Sequence, residues 1–589
     1  MAENLLEKRL EEVLQGLPEL EKSEIEELRK MIEQYFLGEI TPDEFKARRL
    51  MQGTYGIRGL SDIQMLRVKV PGGLLNADQL EVLADVADKY SKGISHITTR
   101  QDVQLYWIPV KEIPQVTAAL ARAGLTTREA CGNSVRNVTG SPYAGTDPNE
   151  LFDVTPYVEA VTHHFLRHPA SQKLPRKFKM AFEGSPADHA RTSIHDIGGV
   201  AAIQDVNGKA VRGFRLYCGG GLGTVPRQAV LLEPFTPVSD LLRTCEAVVR
   251  VHDRLGERKN RAAARLKFLV KKMGDEAFRA EVFKERASLD VSKFAAIAEA
   301  PEEQAPSAAK EIPELTPDTP VFYRWLQTNV VPQKQDGYSM VLIRLHLGDI
   351  NSKQARQLAQ IVRRFCGGRL RTAISQNLVL RWIRKEHLGA LYEALVSAGL
   401  ADTEAERLLD VTSCPGAETC QLGIAASRGL ARALEQALER SGLQGEDLDT
   451  IRIKVSGCPN SCGQHHIANI GFLGGSRKID GRLVPHFQML LGGQTGEGVA
   501  IFGKPTMRFP ARRVPGAVQR ILELFRQERE AEDESFNRFV ERVGKDFWKE
   551  KLEEFTTLPS YEEDPSMHRD WGAETDFSLE GMGAGECAA

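Results

Sequence analysis

The segment MLRVKVPGGLLNADQLEVLADVADKYSKGISHITTRQDVQLYWI, residues 65–108, lies over MVLIRLHLGDINSKQARQLAQIVRRFCGGRLRTAISQNLVLRWI, residues 340–383, at a constant offset of 275 and without a gap. The register continues to Ala123-Gly124-Leu125 over Ala398-Gly399-Leu400. Sixteen of the 61 aligned pairs are identical, among them Met65/Met340, Asn76/Asn351, Gln101/Gln376, Trp107/Trp382 and Ile108/Ile383. Each copy reads as strand, amphipathic helix, strand, with β-branched runs on either side of a helical period. Two unrelated units would not share so many identities in one register, so the pattern predicts an internal duplication, a pseudo-twofold pair with a site between its copies. At matched positions the first copy carries Thr99-Arg100-Gln101-Asp102 and the second Ile374-Ser375-Gln376-Asn377. Charge is gathered in the first copy, which predicts one active face and a mainly structural second copy.

Outward from the repeats, residues 3–48 are rich in Glu, Lys and Leu at helical spacing and read as a helical extension. The segment 301–320, PEEQAPSAAKEIPELTPDTP, holds five prolines and no core pattern, and reads as a linker between the two halves. From about residue 559 the chain turns acidic and then Gly/Ala-rich, the composition of a mobile tail. The 589 residues are 42% hydrophobic and 27% charged, which suits several globular domains and excludes a largely disordered chain. With 77 Lys+Arg against 80 Asp+Glu there is no basic surplus for wholesale nucleic-acid binding. No apolar run approaches the roughly 18 residues that span a bilayer. The opening MAENLLEKRLEEVLQ lacks the apolar middle of a signal peptide, so a cytoplasmic protein is expected.

Nine cysteines, an odd number in a long chain, argue against a disulfide framework. Four of them crowd into residues 414–462: VTSCPGAETCQLG gives Cys414-x5-Cys420, and VSGCPNSCGQHH gives Cys458-x3-Cys462. The five-residue gap departs from the knuckles of a structural zinc site. A cubane iron–sulfur cluster needs four thiolates converging from loops with amides free to meet the sulfides, and Gly416, Gly457 and Gly463 suit such loops. On spacing alone an iron–sulfur cluster, a zinc site and ordinary buried cysteines stay open, with His465 and His466 read as packing rather than as ligands.

The pair Cys414-x5-Cys420 and Cys458-Pro459-Asn460-Ser461-Cys462, taken with the duplication, resembles the sirohaem-dependent nitrite/sulfite reductase family over about residues 50–545. The resemblance implies an α+β architecture with duplicated ferredoxin-like half-domain repeats and two sirohaem/cluster-binding lobes. The expected divisions are 1–52 for the helical extension, 53–145 and 321–405 for the half-repeats, 146–300 and 406–545 for the lobes, 301–320 for the linker and 546–589 for the tail. It also implies a [4Fe–4S] cluster on Cys414, Cys420, Cys458 and Cys462, with Cys462 shared between cluster and sirohaem. The activity implied is six-electron reduction of sulfite to sulfide, with nitrite to ammonia as the alternative. A monomer served by ferredoxin or a similar small donor is expected.

Sirohaem is a polycarboxylate and both substrates are anions, so such a site must concentrate positive charge in a partly desolvated pocket. Lys69 lies in MLRVKVPGG, Arg100 in TTRQD, Arg136 in CGNSVRNVTG, and Arg176, Lys177 and Lys179 in LPRKFK. Each alone reads as a solvated cation; together they match the places where the family holds sirohaem and anion. The resemblance assigns catalysis to Lys69, Arg136, Lys177 and Lys179, and cofactor binding to Arg100, Arg176, Gly220, Gly221 and Cys462. Lys177 and Lys179 alternate, and on a strand share one face. The run YCGGGLGTVP is not a dinucleotide fingerprint. It reads either as a turn or as a loop offering amides to sirohaem carboxylates. The basic run RKNRAAARLKFLVKK (258–272) reads either as a solvated face or as part of a dock for an acidic donor. Tyr55 and Cys131 stand where some sulfite-reducing relatives form a Tyr–Cys thioether, and a plain packed pair is the other reading.

Overall fold

The computed structural model describes residues 11, 13–299, 303–306, 312–583 and 585. The first copy of the repeat forms an antiparallel sheet of Thr54–Gly56, Ile63–Val68, Val103–Pro109 and Ile94–Ile97. Its fifth strand, Asp349–Asn351, comes from the second copy. The second sheet, Val330–Pro332, Tyr338–Ile343, Leu378–Arg384 and Arg369–Thr372, is completed by Leu74–Asn76 from the first copy. Each sheet thus borrows an edge strand from the other, which covers an otherwise open edge. Both strands run directly into helices, Ala77–Tyr90 and Ser352–Phe365, and both helices are closed by the same capping box. Asn76 accepts from Gln79 N at 2.8 Å while Gln79 Oε1 accepts from Asn76 N at 3.1 Å; Asn351 and Gln354 repeat the exchange at 2.9 and 3.1 Å. Two identities of the repeat are therefore helix caps.

The duplication runs further than the sequence reading took it. A second pair of five-stranded sheets follows the first at an offset of 273. One consists of Thr139–Gly140, Met180–Glu183, Ile197–Val206, Lys209–Cys218 and Val230–Pro237. The other consists of Thr412–Ser413, Ile453–Ser456, Ile470–Ile479, Arg482–Leu491 and Lys504–Pro510. In both, two parallel pairings precede two antiparallel ones. The two ferredoxin-like sheets share one core, in which Leu66, Val68 and Leu105 meet Val341, Ile343 and Leu380. Each lobe has a core of its own, around Phe178, Phe182 and Phe214 in the first and Phe472, Phe487 and Phe509 in the second.

The predicted N-terminal helix is two helices, Glu19–Phe36 and Pro42–Met51, and Leu28, Met31, Ile32 and Phe45 pack them into the shared core; residues 1–10 and 12 of that reading lie outside the described residues. The tail differs from expectation. The helical span Phe536–Lys551 is broken at Gly544, whose φ is +72°, close to the expected boundary at 545/546, and the described chain beyond it is packed rather than mobile. Asp570 and His568 are buried, Ala426 N donates to Asp570 Oδ2 at 2.7 Å, and Trp571 Nε1 donates to Ala511 O at 3.0 Å. A Gly/Ala-rich acidic composition missed these few anchoring side chains. Among the described residues no helix is long and apolar enough to cross a membrane.

Candidate functional site

Three of the four cysteines lie on loops that leave the carboxyl ends of the parallel strands Thr412–Ser413 and Ile453–Ser456: Cys414 after the first, Cys458 and Cys462 after the second. Cys420 closes the first loop, its N–H donating to Gly416 O at 3.0 Å. Glycines make the convergence possible. A Cβ on Gly457 would lie 2.6 Å from both Ala425 O and Gly416 Cα, and one on Gly463 would lie 2.1 Å from Val455 O. Gly416 itself holds a φ of +56°. Amides point at sulfur: Gly457 N donates to Cys414 Sγ at 3.2 Å, and Ser427 Oγ lies 3.4 Å from it. Burial pushes the Cys414 and Cys458 thiols up, and the nearby Cys462 thiolate pushes both further. Thiols so placed stay deprotonated only with positive metal charge among them. The donor set, four sulfurs with backbone amides of Gly416 and Gly457 at Cys414 and of Asn460 at Cys458, fits an iron–sulfur cluster better than a zinc site. Cys414 and Cys458 are buried, Cys420 is half-buried and Cys462 is exposed, so one sulfur faces outward.

That outward side meets the cationic loops. Thr99 Oγ1 donates to Cys462 O at 2.9 Å, which places the Thr99–Arg100 turn on the cluster loop. Arg100 Nη1 donates to His195 Nε2 at 2.5 Å, and Nη2 donates to Asn137 O. His195 Nδ1 in turn donates to Arg191 O at 2.8 Å, so the ring is neutral with its lone pair on Nε2, and burial and the neighbouring cations hold its pKa well below the usual value. Burial lowers Arg100 to about 10. Lys177 and Lys179 flank Phe178, which is wholly buried, and both remain half-buried on the opposite face. Lys179 is driven well below the usual lysine range by burial, then by Arg100, Lys177 and Arg265, while the Cys462 thiolate acts the other way. Arg265 is occupied by buried Asp196, at 2.8 Å, and Lys179 N donates to the same carboxylate at 2.9 Å. This leaves a surplus of positive charge beside an outward-facing thiol, a setting for a polyanion and a small anion.

Other sequence candidates are placed differently. Lys69 is buried with Nζ 3.9 Å from Glu129 Oε2, and its pKa is lowered by burial and partly restored by Glu129. Arg136 spends its guanidinium on Gly132 O, at 3.0 and 2.6 Å, and on Ala130 O, at 3.0 Å. Both still add to the field that acts on Asp102, and Arg136 to that on Arg100. Arg176 is half-buried at the start of its run. Gly220 and Gly221 do not offer their amides outward: Gly220 N donates to His195 O at 2.9 Å and Gly221 N to Arg227 O at 2.8 Å. Glycine is needed there for space, since a Cβ on Gly220 would lie 2.6 Å from Ser193 O and one on Gly221 2.9 Å from the Arg265 guanidinium. Tyr55 and Cys131 share a small buried cluster with Leu50, Ile57 and Met65.

Besides His195, sequence reasoning missed two residues of the basic run. Arg265 and Lys267 are buried, and Lys267 Nζ donates to Leu222 O at 2.8 Å and Val225 O at 2.5 Å, tying down the glycine loop. Burial lowers that lysine to about 8. The remaining Arg258, Lys259, Arg261, Lys271 and Lys272 are exposed. A signal existed in the apolar period of Leu266, Leu269 and Val270, which puts one side of the run inside.

Residues 131–290 and 404–558 match the family described as "Nitrite and sulphite reductase 4Fe-4S domain", and residues 59–123 and 331–398 match "Nitrite/Sulfite reductase ferredoxin-like half domain". The chain is 30% identical over 492 residues, 82% of each chain, to a protein of Mycobacterium tuberculosis named "Sulfite reductase [ferredoxin]". It is 29% identical over 510 residues, 84% of each, to the "Assimilatory ferredoxin-dependent nitrite reductase" of Haloferax mediterranei. The solved structure of Mycobacterium tuberculosis NirA protein superposes with a TM-score of 0.74 at 28% identity, over 89% of this chain and 97% of that one. This chain belongs to the nitrite/sulfite reductase family of oxidoreductases, whose members carry sirohaem and a [4Fe–4S] cluster. The four cysteines would hold the cluster, and Arg100 and Lys179 lie on the side that Cys462 faces.

Proposed function

We propose that the protein reduces sulfite to sulfide, drawing six electrons singly from an external carrier such as ferredoxin, as a cytoplasmic monomer. When bound, the coupled sirohaem and cluster supply the one-electron chemistry and the iron that takes the anion. The chain's own part is electrostatic. Lys177 and Lys179 neutralise the incoming anion, and Lys179, with its lowered pKa, releases a proton to a departing oxygen more readily than a solvated lysine would. Arg100, held by neutral His195 and Asn137, keeps the pocket positive without competing for the proton. Lys69 and Arg136 contribute charge from behind.

The carrying observation is the density of half-buried cations around Lys179. Near neutral pH sulfite is largely a dianion or its singly protonated form, with three oxygens, whereas nitrite is a monoanion with two. A second ammonium therefore favours sulfite through a charge-assisted hydrogen bond of about 1.5–3 kcal/mol. The sulfite reductase relative in Mycobacterium tuberculosis supports this reading. Nitrite to ammonia is the second reading. It is favoured by the engagement of Lys69 with Glu129 and of Arg136 with backbone carbonyls, which leaves fewer cations for a dianion. Lys179→Asn assayed with both anions tests the choice. We expect kcat/KM for sulfite to fall by roughly tenfold or more, equivalent to about 1.4 kcal/mol, with a smaller loss for nitrite. An equal loss for both would make Lys179 a general anion or proton group and remove the preference.

A further inference from the structure

The sheet of the first lobe is backed by the helices Thr155–Phe165 and Leu241–Leu255. Where they meet, three donors converge that the site above does not use. His164 Nε2 lies 2.8 Å from Glu246 Oε2, and His168 Nε2 lies 3.6 Å from the same oxygen. The two imidazoles stack with centroids 5.0 Å apart, and one donor atom from each of the three residues falls within 4.8 Å of the others. We propose that His164, His168 and Glu246 form a binding site for a divalent cation of the zinc class, with a fourth position open to water.

The chemistry of the donors and their geometry both favour it. Two imidazoles and one carboxylate oxygen suit zinc, and donors around a tetrahedral zinc stand about 3.3 Å apart at bond lengths of about 2.0–2.1 Å. The carboxylate is preset: Glu246 Oε1 accepts from Arg250 Nε at 2.7 Å, which leaves Oε2 to face both rings, and the side chain is only 4% exposed. An outer partner that orients a ligand in this way is the usual support of a metal site. Phe165, edge-on at 4.9 Å, and Phe294, at 5.5 Å, wall His164 with apolar surface. His168 Nδ1 accepts from Ala170 N at 3.3 Å, a long bond that the ring gives up when Nε2 takes the metal. A cation here ties the end of one helix, through the turn that carries His168, to the neighbouring helix. That turn leads within eleven residues of His168 to Arg176, Lys177 and Lys179, so the metal would steady the segment that presents them.

The test uses the holoenzyme, whose cluster keeps its own thiolates occupied. Incubated with zinc chloride and desalted against a weak chelator, it should retain one zinc per chain beside its iron, measured by mass spectrometry. X-ray absorption at the zinc edge should show nitrogen and oxygen at about 2.0–2.1 Å and no sulfur. Glu246→Gln and His168→Gln should each bind zinc at least tenfold more weakly, with cluster and sirohaem absorbance unchanged. Zinc should raise the melting temperature of the wild type and not of the variants. If Glu246→Gln fails to fold, the half-buried His168→Gln carries the comparison. Zinc retained equally by wild type and variants, a sulfur shell near 2.3 Å, or no retained zinc would each overturn the proposal.

Discussion

Gly457 gives its N–H to Cys414 Sγ at 3.2 Å, and only a residue without a side chain can stand there, because a Cβ would press to 2.6 Å on Ala425 O and on Gly416 Cα. Both of these close contacts are backbone atoms, which cannot rotate away. Gly457→Ala should push the two cysteine loops apart, with an overpacking cost of about 1–3 kcal/mol. Since the displaced groups carry Cys414 and Cys458, purified protein should hold well under half the wild-type iron and lose its cluster absorbance. A variant with full iron content would show that the loops tolerate the shift. At this scale the cysteines were legible, because their clustering in 414–462 is a statement about chemistry. The cations were legible only in part. A lysine code says nothing about the partner it has already found, so Glu129 beside Lys69 and the carbonyls around Arg136 could not be read from the chain. His195 was missed for the same reason. A lone histidine acquires meaning only from Arg100 on one nitrogen and Arg191 O on the other.

At the scale of elements, the duplication was readable because ungapped pairing kept strand and helix boundaries in step: Ile63–Val68 maps onto Tyr338–Ile343 and Ala77–Tyr90 onto Ser352–Phe365 without a slip. The exchange of edge strands was not readable, since periodicity shows that a strand exists but not which strand it joins. The two identical glutamines turn out to be its fasteners. Gln101 Nε2 donates to Thr372 O at 2.8 Å, and Gln376 Nε2 donates to Ile97 O at 3.1 Å. Thr372 and Ile97 are themselves a matched pair of the repeat. The same side chains reach the lobes: Gln101 Oε1 accepts from Gly140 N, and Gln376 Oε1 from Ser413 N, each at 3.0 Å. Either Gln→Ala change strands buried polar groups at about 1–3 kcal/mol apiece, so each should lower apparent stability by about 2–4 kcal/mol in denaturant. Their effects on activity should diverge. Gln101 adjoins Arg100 in the site, whereas Gln376 adjoins Ser375, so only Gln101→Ala should also reduce turnover by more than tenfold once folded protein is counted. Equal activity losses would mean that the glutamines act through global stability alone.

Across the whole molecule the offset of 273 relates the two lobes, and their differences explain why one side is reactive. Opposite Cys414, Cys420, Cys458 and Cys462 stand Ser141, Asp147, Ser185 and His189. The backbone agrees: Cys420 N donates to Gly416 O as Asp147 N donates to Tyr143 O. His189 and Ser375, which stand in place of Cys462 and Arg100, line a cavity of about 160 Å³ on the mate side, where Arg191 faces Asp188 and Glu406 and no thiol is present among the lining residues. Identities such as Gly184/Gly457, Pro186/Pro459, Ile197/Ile470 and Phe214/Phe487 carried this second repeat in the sequence, but they fall where glycines dominate and the helical period is absent, so no amphipathic pattern drew attention to them. The tail adds contacts of its own to this frame. Arg58 donates to Glu580 O from Nε at 3.1 Å and from Nη2 at 2.7 Å, while Nη1 reaches Gly423 O at 2.5 Å, and Gly583 N donates to Gln421 O at 3.1 Å. Residues 579–583 are thereby strapped over the loop that follows half-buried Cys420. Few of their side chains are buried, so a chain ending at Ser578 should fold and melt within a few degrees of the full protein. Its cluster loop, however, loses the bond from Gly583 and part of its cover, and Arg58 loses its two bonds to Glu580 O. In air-saturated buffer the truncated protein should lose cluster absorbance several-fold faster than the full chain. A matching rate would show that the loop is protected by Arg58 and the lobe alone, with no contribution from the strap.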